Sequence, residues 1–379
     1  MKKTVLTVML VVVLSLTFLL VSLPEVWVRA ETNIIVVPND CPTIEVAIEN
    51  AMDGDTIFFK KGTHEGPINQ TLIIDKSLSI IGENVETTIL HLYPRYNMTW
   101  ILTQSFITSD DAMTINANDV ELMNLTLAFI GDIRVNSNRV QIMGNSIKSG
   151  STVTGLIVTG SECNVTNNMI LGRINLTGSS NLISQNSFYS LIMQSSDENI
   201  IDSNGFKYLQ IESCNNNTIS GNNISYDNVP YIIEIHDSST NVFYGNLVEA
   251  VYWNTNLRLG VQTQNNTFYG NSFFGEDELI STEAAIYHNL WDNGIYGNFW
   301  SNYNGTDLFG DGVGDVPYII NENNKDRYPL INPLNNGESF VHFFPTTIAI
   351  ASVSIVAVVC IGLFVYFKKH KRSTNGNSA

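Results

Sequence analysis

A short phrase recurs along the middle of the chain, and its spacing limits the possible folds more than any other feature. Asn181-Leu-Ile-Ser-Gln-Asn186-Ser-Phe188 is followed by Asn199-Ile-Ile-Asp-Ser-Asn204-Gly-Phe206 and Asn217-Thr-Ile-Ser-Gly-Asn222-Asn-Ile224. Asn241-Val-Phe-Tyr-Gly-Asn246-Leu-Val248 and Asn266-Thr-Phe-Tyr-Gly-Asn271-Ser-Phe273 close the run, and Asn145 and Asn168 begin it as weaker copies. From Asn145 to Asn271 the steps are 23, 18, 18, 18, 24 and 25 residues. A near-constant period with insertions is one supersecondary unit stacked on itself. Each unit holds three short apolar stretches, such as Ile201, Phe206 and Leu209/Ile211, with no helical period between them. Three short strands per turn predict an all-β fold, a single-stranded parallel β-helix. Its hand is right, because parallel crossovers within a sheet almost always are. The repeated Asn fits tight corners, where it tolerates left-handed backbone, and stacked Asn side chains can hydrogen-bond along the pile. A structural role is expected of them.

The two ends carry different signals. Met1-Lys2-Lys3, an uncharged run from Thr4 to Leu23 and Val28-Arg29-Ala30 before Glu31 read as a secretory signal peptide over 1–30. An uncleaved anchor is the alternative, and both readings export the domain that begins at Glu31. Pro345 to Phe367 is 23 residues without a charge, long enough to span a bilayer as a helix. Lys368-Lys369-His370-Lys371-Arg372 comes next and marks a cytoplasmic tail over 368–379. The expected topology is a single-pass cell-membrane protein with its bulk extracellular.

Residues 31–344 hold 35 acidic and 12 basic side chains, a net of −23. That field repels nucleic acid, which is excluded as a partner, and is compatible with bound cations. Cys360 lies in the apolar span, while Cys163 and Cys214 fall about three coils, or roughly 14 Å, apart. That separation is too wide for a disulfide, which needs Cα atoms within about 7 Å.

Ile34 to Val37 reads as a strand. Pro42-Thr43 then opens a helix of three turns, with Thr43 as N-cap and Ile44, Ala47, Ile48 and Ala51 on one face, ended by Asp53-Gly54-Asp55. Such a helix would cover an otherwise open end of the solenoid. The divisions expected are an amino-terminal cap with the first coils over 31–96, coils over 97–297, an Asp/Gly/aromatic cap over 298–334 and a tether over 335–344. Nine Asn-x-Ser/Thr sequons, at Asn69, Asn97, Asn124, Asn164, Asn175, Asn216, Asn223, Asn265 and Asn304, permit glycosylation of an exported domain or arise from Asn-rich corners followed by Ser/Thr.

Two stretches resemble a known family. "IIVVPNDCPTIEVAIENAMDGDTIFFKKGTH" with "LIIDKSLSIIGENVETTIL" is similar to the entry segment of pectin-lyase-like β-helix proteins. "GNFWSNYNGTDLFGDGVGDVPYIINENNKDRYPLINP" resembles the closing segment of NosD-like β-helix proteins, many of them archaeal surface proteins. The resemblance spans about residues 34–333. It implies the fold and, for NosD proteins, a copper-linked accessory role in nitrous-oxide reductase maturation. The fold itself hosts lyases, hydrolases, adhesins and accessory proteins.

Three groups of residues are candidates for a site. Asp307, Asp311 and Asp315, with Gly312 and the Val313 carbonyl, read as a calcium loop of hard oxygen ligands. It departs from the pattern at Phe309, where the resembling family has Asp, and at Tyr318, where an EF-hand has Glu. The alternative is an Asp/Gly turn held by Trp300, Tyr303 and Tyr328. Copper is not expected, because the six histidines show no close pairing and no Cys or Met tract converges with them. For catalysis, alignment on the repeated Asn puts Gln194, Glu212, His236 and Gln262 in one outward row and Ile192, Gln210, Glu234 and Gly260 in the next, with Arg258 on the same face. Glu212, Glu234, His236 and Arg258 are therefore the candidates for acid–base work on sugars, against the alternative of an ordinary polar ladder. Asp110-Asp111 is similar to a polygalacturonase pair only superficially, because the surrounding motif is missing. The expected function is that of a membrane-anchored surface β-helix, more a binder of glycan or protein, or an envelope component, than an enzyme. The alternatives are a lyase or glycosidase acting on an acidic polymer and a NosD-like envelope accessory.

Overall fold

The computed structural model describes residues 32–101, 104–149, 155–226, 229–250, 255–275, 279–282 and 287–334. The expected signal peptide, tether, membrane span and tail lie outside them. Among the described residues no helix is long and apolar enough to cross a membrane.

The chain winds through three parallel sheets in turn. The first holds eleven strands, from Ile34–Val37 to Thr267–Tyr269, and the third holds ten, from Leu72–Ile74 to Ile280–Thr282. The second comprises two five-stranded runs joined by bridges from Ser187 to Met169 and Gly205. This is the parallel β-helix that the period predicts. Side chains alternate along each strand, and the inward set fills the barrel with Ile, Leu and Val. Toward the carboxyl end aromatic rings replace them in stacks, Phe243 on Phe268 on Trp291 and Phe273 on Trp300 on Tyr318.

The repeated asparagines do not take the left-handed corners. The residue before each one does: Ser180, Glu198, Asn216, Thr240 and Asn265 at one corner, and Gln185, Ser203, Gly221, Gly245 and Gly270 at the next, all with φ between 56° and 65°. That twist turns each Asn side chain inward, where two buried ladders form. In the longer, Asn145, Asn168, Asn186, Asn204, Asn222, Asn246, Asn271 and Asn298 succeed one another, each offering its backbone N–H and side-chain amide to the carboxamide oxygen of the next. The remaining amide hydrogen goes back to a carbonyl of the preceding coil, as from Asn222 to Ile201 at 2.8 Å. The polar atoms of an Asn within this ladder are thereby used, which is the condition for burying it without penalty. The shorter ladder runs from Asn181 through Asn199, Asn217, Asn241 and Asn266 to Asn289.

Both ladders end on one strand. Asn324–Asp326 pairs antiparallel with Tyr318–Asn321, and Asn324 accepts from the Asn289 N–H and the Trp291 indole. Asp326 accepts from the Asn298 N–H, the Trp300 indole and the Tyr328 N–H.

Two local features differ from expectation. The helix starts at Thr43 as predicted, its hydroxyl accepting from Val46 N–H, but spans only the seven residues Ile44–Asn50. It stops because Ala51 is extended, and Lys76 from a neighbouring coil donates to the carbonyls of Ile48, Glu49 and Ala51 that the helix end leaves open. Inside the region expected to be coils, Tyr96–Ile101 and Gln104–Ser109 form an antiparallel hairpin that leaves the winding before it resumes at Met113–Ile115.

Candidate functional site

The expected catalytic rows sit on the third sheet, and their register is partly as predicted. Gln194, Glu212 and His236 are successive partners, as are Ile192, Gln210 and Glu234. The next step differs by two residues. Arg258, not Gly260, lies opposite Glu234, while Gly260 comes after His236 and Gln262 has moved into a left-handed corner. A Cβ at Gly260 would displace the His236 ring from this position. Glu234 accepts from the Tyr208 hydroxyl at 2.9 Å and from Arg258 at 3.1 Å, with His236 at 3.5 Å. Arg258 also lies over the Tyr231 ring, 4.9 Å from its centroid. Burial, then the Glu234 charge, push the Tyr208 phenol well above its ordinary range. The carboxylate is thus matched by a guanidinium and a phenol, which suits a cross-coil tie better than a group meant to gain or lose a proton. Of the Asp110-Asp111 pair, Asp111 is held by Arg134 at 2.6 and 3.2 Å, and Asp110 is exposed.

In the Asp/Gly loop the carboxylates face their own backbone. Asp307 accepts from the N–H groups of Gly310, Asp311 and Gly312, which hold its carboxyl below the usual range. Asp311 accepts from Val313 N–H and Asp315 from Leu308 N–H. Among the described residues no three His, Cys, Asp or Glu side chains come together as a metal would require. The three carboxylates are thus turned to backbone donors rather than to one another, while Asp307, with three donors on its two oxygens, keeps a lone pair unfilled.

The second sheet carries a constellation that the Asn-based alignment does not reach. Glu65, His91, Ala128, Lys148 and Leu171 are consecutive register partners on its outward face. Tyr189 and Lys207 continue the file, Tyr189 N–H donating to the Gly172 carbonyl and Lys207 N–H to the Tyr189 carbonyl. Because Ala128 is small, a cavity of about 650 Å³ opens between His91 and Lys148, lined also by Ile68, Phe129 and Tyr93. A second cavity of about 590 Å³ adjoins it, lined by exposed Met169 and Leu171 with Phe188, Tyr189 and Lys207. Both fall in the size range of ligand clefts.

The polar groups at the first cavity are linked. Tyr93 donates to Glu65, and His91 Nδ1 lies 3.3 Å from the Tyr93 hydroxyl. The Glu65 carboxylate holds the Tyr93 phenol above its ordinary range. With the hydroxyl proton committed to Glu65, the Tyr93 oxygen is left as an acceptor facing His91 Nδ1. At the second cavity Lys207 lies 5.0 and 5.1 Å from the Tyr189 and Tyr226 ring centroids, and those two hydroxyls bond each other. Among the described residues neither Lys148 nor Lys207 forms an ion pair, whereas Arg134, Arg139, Arg258 and Arg327 each do. A signal for this face exists in the sequence, since each of its residues sits beside inward apolar ones. Reading it needs the register across the hairpin.

Fold and face together define an all-β parallel solenoid with an elongated, partly aromatic surface. Its sequence is NosD-like in part. Over 109 residues it is 32% identical to a probable ABC transporter binding protein, NosD, of Stutzerimonas stutzeri and 33% identical over the same length to the NosD of Pseudomonas aeruginosa. The stretch is 28% of this chain, and it spans about a quarter, 24%, of those relatives. No protein-family profile matches the chain. Among solved structures, pectate lyase Pel9A is similar at 12% identity and a TM-score of 0.42, covering 70% of this chain and 81% of that one. The Dettilon tailspike protein is similar at 13% identity and 0.42, over 66% and 69%. An alginate lyase from Paenibacillus sp. str. FPU-7 gives 13% and 0.41, over 69% and 94%. At such identities and scores these likenesses say nothing of activity.

Proposed function

We propose that the chain is a membrane-anchored surface β-helix that binds an acidic glycan along the outward face of its second sheet. The observation that carries this reading is the file from His91 to Lys207, in which two adjoining cavities combine ring faces with two ammonium groups that form no ion pair among the described residues. Sugar rings lie well on aromatic faces, and carboxylate or sulfate substituents pair with lysine, a local attraction that works against the net −23 of residues 31–344. Lys148 and Lys207 are three coils apart, roughly 14 Å, a spacing suited to an extended polymer rather than a single sugar. The anchor rests on the uncharged run 345–367 and its basic stop. The test is retention of the full chain on immobilised polyuronate. Lys148→Ala and Lys207→Ala should each weaken it several-fold, and added salt should weaken the unsubstituted chain toward the same level. Retention untouched by both substitutions would move the site elsewhere.

A lyase or glycosidase is the second reading. It is favoured by one observation, the Tyr93 hydroxyl held between Glu65 and His91 at the wall of a cavity, where an acid–base pair would stand. Sugar release from a polyuronate, lost in His91→Ala, would establish it in place of simple binding.

A further inference from the structure

The Asp/Gly loop ends in two large apolar side chains that nothing in the β-helix covers. Leu308 is 80% exposed and Phe309 85%, the most exposed large apolar pair of the described residues, and Val316 beside them is 55% exposed. The loop is not slack. The bonds from Asp307 to three N–H groups, from Asp315 to Leu308 and from the Tyr303 hydroxyl to the Val316 carbonyl fold it on itself. The acids are thereby turned to the backbone, and Leu308 and Phe309 form the tip.

The loop also lies beside the place where the chain leaves the domain. Gly314 N–H donates to the Pro329 carbonyl at 2.7 Å, Ile331 N–H to the Gly312 carbonyl at 3.0 Å, and Val313 stands opposite Leu330. The described residues end at Leu334, and ten further residues, among them Phe340, Phe343 and Phe344, lead to Pro345. Ten residues reach at most about 35 Å. We infer that the Leu308-Phe309 tip docks into the outer surface of the lipid bilayer, so that the carboxyl-terminal end of the solenoid rests on the membrane. Apolar side chains rigidly presented within tether length of a bilayer gain by entering its interface. The nearby charges, Asp307, Asp311 and Asp315, are all negative, so the lipid favoured is zwitterionic rather than anionic. With the tip inserted, the β-helix stands in a fixed attitude instead of swinging on its tether.

This inference rests on the membrane-anchored reading, and one experiment separates the two. The full chain is reconstituted into phosphatidylcholine bilayers with brominated acyl chains, unsubstituted and as Phe309→Trp. The emission added by the new indole should be blue-shifted and largely lost to bromine quenching. Leu308→Asp with Phe309→Asp, an exposed change that should leave the melting temperature unchanged, should make the tether several-fold more open to protease. If the chain washes out of the bilayer at alkaline pH, the anchor reading and this inference fall together. If it stays in while the added emission is unquenched, only the inference falls.

Discussion

At Asp326 both carboxylate oxygens work as acceptors, one for Asn298 and Trp300 and the other for Tyr328. Another Asn could not do this, since its NH₂ would face a donor, either the Tyr328 N–H or the pair from Asn298 and Trp300. Asp326→Asn should therefore cost about 1–3 kcal/mol in denaturant unfolding. Its pH dependence comes from burial, which pushes the carboxyl up to about 6 against an ordinary 3.8. The folded state then holds the proton more tightly than the unfolded state, so this group's contribution is full below about pH 4 and is lost as pH rises through 6. The cost of Asp326→Asn is therefore read at pH 7.5, where the carboxylate is ionised, and the pH effect is read on the unsubstituted chain between pH 4.5 and pH 7.5. In mid-ladder, Asn222→Ala removes the oxygen that receives Asn204 N–H and Nδ2 and should cost about 2–6 kcal/mol, since each buried orphan donor costs about 1–3. The period of these residues is legible in the sequence because burial forces the same side chain at every coil. Their backbone is not, because the left-handed strain falls on the preceding position, where Ser, Gln, Glu, Thr, Asn and Gly all occur.

Strands and loops differ in how much of them can be read. The third-sheet rows match as far as Glu234, where the period holds at 18 and then 24 residues. They slip afterwards because the corner beyond Leu259 takes up the extra length. Gly260→Ala should force the His236 ring out of its place and cost about 1–3 kcal/mol, measured by chemical unfolding. Glu234→Gln loosens the tie to Arg258 yet should leave glycan retention unchanged, since the proposed face is on another sheet. Loss of retention in that variant would return the site to the rows that the Asn alignment predicts. The second-sheet face is hidden in the sequence because the hairpin of Tyr96–Ile101 and Gln104–Ser109 lengthens its coil, so that His91 and Ala128 are register neighbours without being periodic ones. For the Asp/Gly loop, Asp307→Ala deprives three N–H groups of their acceptor and should lower the melting temperature equally in calcium and in chelator. A calcium-dependent rise in the unsubstituted chain would restore the metal reading.

For the whole molecule, topology is the prediction that composition carries. Protease added to intact cells should remove the β-helix and spare the basic tail, which an antibody to the carboxyl terminus would detect. Four sequon asparagines, Asn69, Asn124, Asn216 and Asn265, are exposed in left-handed corners, and Asn69 lines the first cavity. The overall architecture is legible because a solenoid repeats its own evidence at every turn, whereas a binding face is written once.

The ladders also impose an order of assembly. Every ladder Asn directs its backbone N–H to a coil that comes later in the chain, so each newly wound turn stays unfinished until its successor arrives, and the last of these donors are met only at Asn324 and Asp326. A chain emerging from its amino end would carry a travelling front of unmet amides, sealed by the closing strand when all the coils are already in place. Copies cut short before residue 324 would keep that front permanently open, a ready mark for proteolytic clearance and a surface on which a second unfinished copy could wind.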